Sequence, residues 1–121
     1  MRTEHGFAER FEDLSIWQRS RTLVGTIYLS FRDLRDFGYR DQIQRAAVSV
    51  MNNIAEGFEQ QSPTNFARYL DIAKASAGEV RSMLYLAEDL SYLSHDQIIE
   101  IRDSYEILSR QIAKFTATLR K

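Results

Sequence analysis

Cysteine is absent, proline occurs once and glycine five times in 121 residues. The first absence excludes a disulfide framework, a thiolate metal site and a cysteine nucleophile. The scarcity of proline and glycine leaves few places where a helix must break. No apolar run approaches the roughly 18 residues that cross a bilayer. The opening MRTEHGFAERFEDL is charged throughout, unlike a secretory signal. A cytoplasmic protein with no membrane partner is expected. An excess of one charge sign is missing as well. Sixteen Lys and Arg against seventeen Asp and Glu leave a formal net charge of -1, so a nucleic-acid role has to come from local asymmetry.

What is present is helical periodicity. The length fits one domain, and apolar residues recur every three and four positions almost everywhere. This predicts an all-α fold of four helices and no strands, packed as an antiparallel up-down-up-down bundle. Residues 1–13 read as a partly ordered arm and 14–121 as the bundle, with helices over about 14–37, 41–61, 63–92 and 95–120. The first helix starts at a cap on Ser15 (with Gln18 completing a box) or on Asp13, and Gly38 is its stop. Its core line is Ile16, Ser20, Leu23, Ile27, Phe31 and Leu34. The second carries Ile43, Ala47, Val50, Ile54 and Phe58 on one face. Ser62 before Pro63 opens the third, whose heptad runs Phe66, Leu70, Ala73, Ala77, Val80, Leu84, Ala87. A Ser94–Gln97 box opens the fourth, with Ile98, Ile101, Tyr105, Leu108, Ile112, Phe115 and Leu119 facing inward.

Two helices carry more apolar surface than one stripe requires. Trp17, Val24, Tyr28 and Phe31 on the first, and Tyr69, Met83 and Leu90 on the third, form second columns. They predict an oligomer interface, because large aromatics left over by one bundle are best buried against another copy.

Chemistry-bearing motifs are scarce. His5 lies in the arm and His95 in the first turn of the fourth helix, neither on a core face, so the inward Glu-x-x-His ligands of a bundle metal site are missing. No glycine-rich phosphate loop, nucleophile elbow or zinc-protease motif occurs. No enzyme, metal or cofactor is expected. Arg19, Arg21, Arg32 and Arg35 in the first helical segment, and Arg110 and Lys114 in the last, are the candidate nucleic-acid contacts. The bland reading of the last pair is that cations answer the dipole at a helix C-terminus.

On the second helix Gln42, Ser49, Asn53, Glu56 and Gln60, with Arg45 beside them, gather into a polar stripe along the apolar face. The stripe is either a hydrogen-bonded seam between helices or a surface for a partner. Gly57 is costly inside a helix, which points to close backbone approach there, and Gly25 and Gly78 read the same way.

The run QIQRAAVSVMNNIAEGF, Gln42 to Phe58, resembles the signature of the four-helix-bundle family encoded in intervening sequences of large-subunit ribosomal RNA genes. DLSIWQRSRTLVGTIY resembles that family's opening helix, with Leu14 and Trp17 in place. FARYLDIAKASAGEV resembles its third, with Arg68, Leu70, Ala73, Ser76 and Glu79 matching. The motif positions are thus Gln42, Arg45, Ser49, Asn53, Glu56, Gly57, Ser76 and Glu79. Val50–Met51 and Ala75 depart from the proline and glycine often found there. The resemblance implies a homopentamer. A similar protein, the accessory subunit of diversity-generating retroelements, is a basic pentameric barrel that binds a reverse transcriptase and nucleic acid; this chain is not strongly basic. The expected function is a non-catalytic homo-oligomer binding RNA or an RNA-handling protein such as a reverse transcriptase. The alternative is a protein scaffold with no nucleic-acid role.

Overall fold

The computed structural model describes residues 2–3 and 6–121. Four helices form the bundle: α1 Ser15–Ser30, α2 Phe37–Glu59, α3 Pro63–Asp89 and α4 His95–Leu119. Each of α1 and α3 packs against both α2 and α4, the square arrangement of an up-down-up-down bundle. The heptad positions read from the sequence supply the core. Ile16, Leu23 and Ile27 of α1 meet Ile43, Val50 and Ile54 of α2, the whole Phe66-to-Ala87 column of α3, and Ile98 through Phe115 of α4. Each fully buried Leu, Ile or Phe contributes about 1.5–3 kcal/mol by leaving water.

Ahead of the bundle, β1 Arg2–Thr3 and β2 Gly6–Phe7 pair antiparallel, Arg2 opposite Phe7 and Thr3 opposite Gly6. No strand was expected there, but two residues a side make a clasp and not a sheet. His5 lies outside the described residues. Ala8 is buried, and Phe11 sets its ring edge-on to Trp17 at 5.1 Å. The chain thus joins the bundle before α1 begins. A 3-10 turn at Phe11–Asp13 leads in, with the Asp13 carboxylate accepting from the Arg10 amide (3.3 Å). Neither predicted cap forms on α1. The position falls to Leu14, which has no side-chain cap, and the Gln18 amide donates to the Glu12 carbonyl instead (2.8 Å).

The other helix starts follow the sequence. The Ser62 hydroxyl accepts from the Asn65 amide with Pro63 at the first turn, and Ser94 and Gln97 exchange both bonds of the box. The first turnaround differs. α1 ends at Ser30, and α2 starts at Phe37 because Asp36 accepts from the Tyr39 amide (3.2 Å). Gly38 sits inside the first turn of α2 and stops nothing. Phe31 and Leu34 keep a helical spacing, yet they belong to the loop, whose own turn brings the Leu34 amide to the Phe31 carbonyl (3.1 Å). α3 ends in a Schellman motif: the Ser91 amide reaches the Glu88 carbonyl and the Tyr92 amide the Ala87 carbonyl. Ser91 (φ 58°), like Gln61 after α2 (φ 54°), has the left-handed backbone usually given to glycine.

Candidate functional site

Part of the polar stripe of α2 forms the seam with α3, while Gln60 at its end is exposed. Gln42 donates to the Glu79 carboxylate (3.2 Å), and the Ser49 and Ser76 hydroxyls meet at 2.9 Å. Asn53 turns its amide back to the Ser49 carbonyl (2.8 Å) and hydroxyl (3.0 Å). Farther along, a Cβ on Gly57 would stand 2.7 Å from Tyr69 Cβ and 2.9 Å from a Phe66 ring carbon. Gly57 is therefore a contact point of the two helix backbones, as the sequence suggests. Gly25 and Gly78 are not: a Cβ on either meets nothing within 4 Å. Of the motif residues, Gln42, Ser49, Asn53, Gly57, Ser76 and Glu79 are thus tied into the α2/α3 seam. Arg45 and Glu56 face solvent, with no hydrogen bond or ion pair among the described residues.

The predicted oligomer face divides. Phe31 (1% exposed) and Met83 (9%) are core residues of the single chain. Phe31 lies 5.5 Å from the Tyr39 ring, and the Tyr39 hydroxyl donates to the Met83 carbonyl (2.6 Å). Neither is available to a partner, because the loop after α1 folds Phe31 inward and the start of α2 covers Met83. Trp17, Val24 and Tyr69 are half-buried. Tyr28 and Leu90 face water, as do Leu29 (69% exposed), Ile72, Leu86 and Ile107, which the sequence reading did not single out.

The six candidate cations do not make one patch. Arg19 and Arg21 lie at the end of the bundle where α1 begins, the end that the latter part of α4, with Arg110 and Lys114, also approaches. Arg32 and Arg35 sit in the loop at the other end. Arg21 stacks over the Trp17 ring (5.6 Å) and Arg110 pairs with Glu106 (2.8 Å). Arg32 lies 4.0 Å from Asp33, both exposed.

At that other end Asp36 joins three elements. Besides capping α2 it accepts from the Tyr92 hydroxyl (2.5 Å) in the α3–α4 connection. The bond to Tyr92 first, and that from the Tyr39 amide second, hold its carboxyl below the usual range. His95 Nδ1 lies 2.8 Å from the Glu88 carboxylate, tying the two sides of the same connection. In the core, Tyr105 is fully buried with no partner for its hydroxyl among the described residues, and burial pushes its phenol well up. Among the described residues no group of three or more His, Asp or Glu could hold a metal ion, and no helix is long and apolar enough to cross a membrane.

A groove between α3 and α4 lies outside the sites that the sequence predicts. Asp71, Lys74, Gly78 and Arg81 line it from α3, and Glu106, Ser109 and Arg110 from α4. The signal was the three-and-four spacing of Asp71, Lys74, Gly78 and Arg81, which is that of a helix flank.

A crystal structure from Bacteroides thetaiotaomicron, described as a protein of unknown function from the S23 ribosomal protein family, superposes with a TM-score of 0.78. It is 23% identical, and the match covers 84% of this chain and 97% of that one, a likeness of fold. Comparison with curated protein sequences returns no match. The model of the 23S rRNA-intervening sequence protein family matches residues 12–114, a span that takes in the α2/α3 seam and most of all four helices. The chain belongs to the 23S rRNA-intervening sequence protein family.

Proposed function

We propose that the chain works without catalysis, as one protomer of a homo-oligomeric ring in the cytoplasm that binds RNA or an RNA-handling protein. The observation that carries the ring is the placement of solvent-facing apolar side chains: Tyr28 and Leu29 on α1, Ile72 and Leu86 on α3, and Leu90 at the cap that ends α3. α1 and α3 occupy opposite corners of the square. A protomer with two different sticky faces joins head to tail, and such contacts close into rings when the rotation allows. Five copies is the number that the family resemblance implies. The RNA partner is supported by the family's link to ribosomal RNA genes and by Arg19, Arg21, Arg110 and Lys114 near one end.

A second reading, a scaffold whose partner is protein, is favoured by the division of the cations between two ends and by the net charge of -1. Light scattering at micromolar concentration tests the ring; a mass equal to one chain rejects it. Titration with RNA across a salt series tests the partner. Phosphate contacts predict affinity that falls steeply with salt. No binding at low salt, together with a protein pull-down that resists nuclease, would establish the scaffold reading instead.

A further inference from the structure

The open groove between α3 and α4 has a volume of about 580 Å³ and a charged lining only partly neutralised from within the chain. Arg120 holds Asp71 through both terminal nitrogens (3.1 and 2.6 Å), and Arg110 holds Glu106 (2.8 Å). Those pairs occupy both carboxylates of the lining. Lys74 is near enough to Asp71 to favour its charged form, but neither Lys74 nor Arg81 forms an ion pair among the described residues.

Two donors are stranded beside them. Arg81 Nε and the Ser109 hydroxyl are shut off from solvent with no hydrogen-bond partner among the described residues, and Ser109 is only 6% exposed. A buried donor without an acceptor is a standing cost that a ligand can remove. Gly78 lines the same groove without filling it, since a Cβ there meets nothing within 4 Å.

What this set lacks is negative charge with several acceptor oxygens. A tetrahedral oxyanion offers them in directions that an ammonium, a guanidinium fork and a hydroxyl can share. We infer that the α3/α4 groove binds a phosphate group, with Lys74 and Arg81 as its cationic contacts and Ser109 as a neutral donor. Because Arg81 Nε and the Ser109 hydroxyl are covered in the free protein, binding requires the Arg81 side chain to turn toward the groove mouth. The site depends neither on the ring nor on RNA as the natural partner.

The test is a titration of the isotope-labelled full chain with inorganic phosphate, against sodium chloride at matched ionic strength, followed by backbone amide resonances. Saturable shifts confined to residues 74–82 and 106–110 are expected. Affinity should fall about tenfold or more in Arg81→Gln and stay unchanged in Arg40→Gln, whose side chain lies over Phe37. Should Arg81→Gln lose its helical circular dichroism, Lys74→Gln makes the same comparison. Adding a single-stranded RNA separates the sources of the phosphate. Displacement of bound phosphate points to a phosphodiester, and persistence of the phosphate shifts points to a free ion or monoester; both sustain the site. Shifts equal to those with chloride, or wild-type affinity in a folded Arg81 or Lys74 variant, overturn it.

Discussion

The glycines of this chain differ in what surrounds them, and their substitutions should differ in sign. Gly57→Ala forces a methyl to within 2.7 Å of Tyr69 Cβ. Overpacking of this kind costs about 1–3 kcal/mol, against a gain in helix propensity of about 1 kcal/mol, so a lower urea midpoint is expected. Gly78→Ala and Gly25→Ala meet no neighbour and should raise the midpoint by the propensity gain alone. The sequence marks all three as anomalous in a helix. It cannot say which has a backbone across from it, because that depends on the register of α2 against α3. Tyr105 is a second case. Its hydroxyl is buried without a partner among the described residues, so Tyr105→Phe should stabilise by about 1–3 kcal/mol, the cost of an unpaired polar group, read from denaturant unfolding. The aromatic line of α4 placed Tyr105 in the core, but nothing in its spacing told that its oxygen would be left alone.

At the level of the helices, two starts were legible from the side chains that cap them. Ser62–Pro63 and Ser94–Gln97 start α3 and α4 as read. The α1/α2 junction is harder to read, because Phe31 and Leu34 are spaced as on a helix and Gly38 looks like a stop while the true cap, Asp36, stands two residues before it. That aspartate makes the junction pH-dependent. Its folded-state pKa is depressed by Tyr92 and then by Tyr39. The carboxylate therefore adds stability above the ordinary carboxylate range, and that contribution disappears as the pH falls through the folded-state value. Asp36→Asn should lower the melting temperature at neutral pH, and the difference from the wild type should vanish under acid conditions. A difference that persists in acid would assign the loss to packing and not to charge. The seam of α2 was legible as a stripe of the right residue types. That its partner is α3 follows only from the folded register, with Ser49 opposite Ser76.

As a whole, the single chain closes its own core. Its accessible surface of 7010 Å² is near the roughly 6,700 Å² that a compact monomer of this mass exposes. The proposed association would then be a matter of assembly and not of folding, which separates two measurements. Leu29→Glu or Ile72→Glu should shift the solution mass downward. Either should change the unfolding free energy by only about 0.5 kcal/mol, as is usual for surface positions. A large loss of stability in both variants would mean that the protomer leans on its neighbours to stay folded. The sequence overstated the need for a neighbour by placing Phe31, already on the core line of the first helix, and Met83 among the leftover columns, although both are buried within the chain. In the fold the loop after α1 and the start of α2 claim them.

The left-handed backbones at Gln61 and Ser91 have a consequence for where this molecule gives way. A side chain in that conformation costs about 1–2 kcal/mol, and glycine removes the clash while losing part of the gain to a freer unfolded chain. Ser91→Gly or Gln61→Gly should therefore raise the denaturation midpoint slightly. Since the two residues bracket α3, the longest rod of the bundle is strung between tensed joints, and its core layers are what keep both from relaxing.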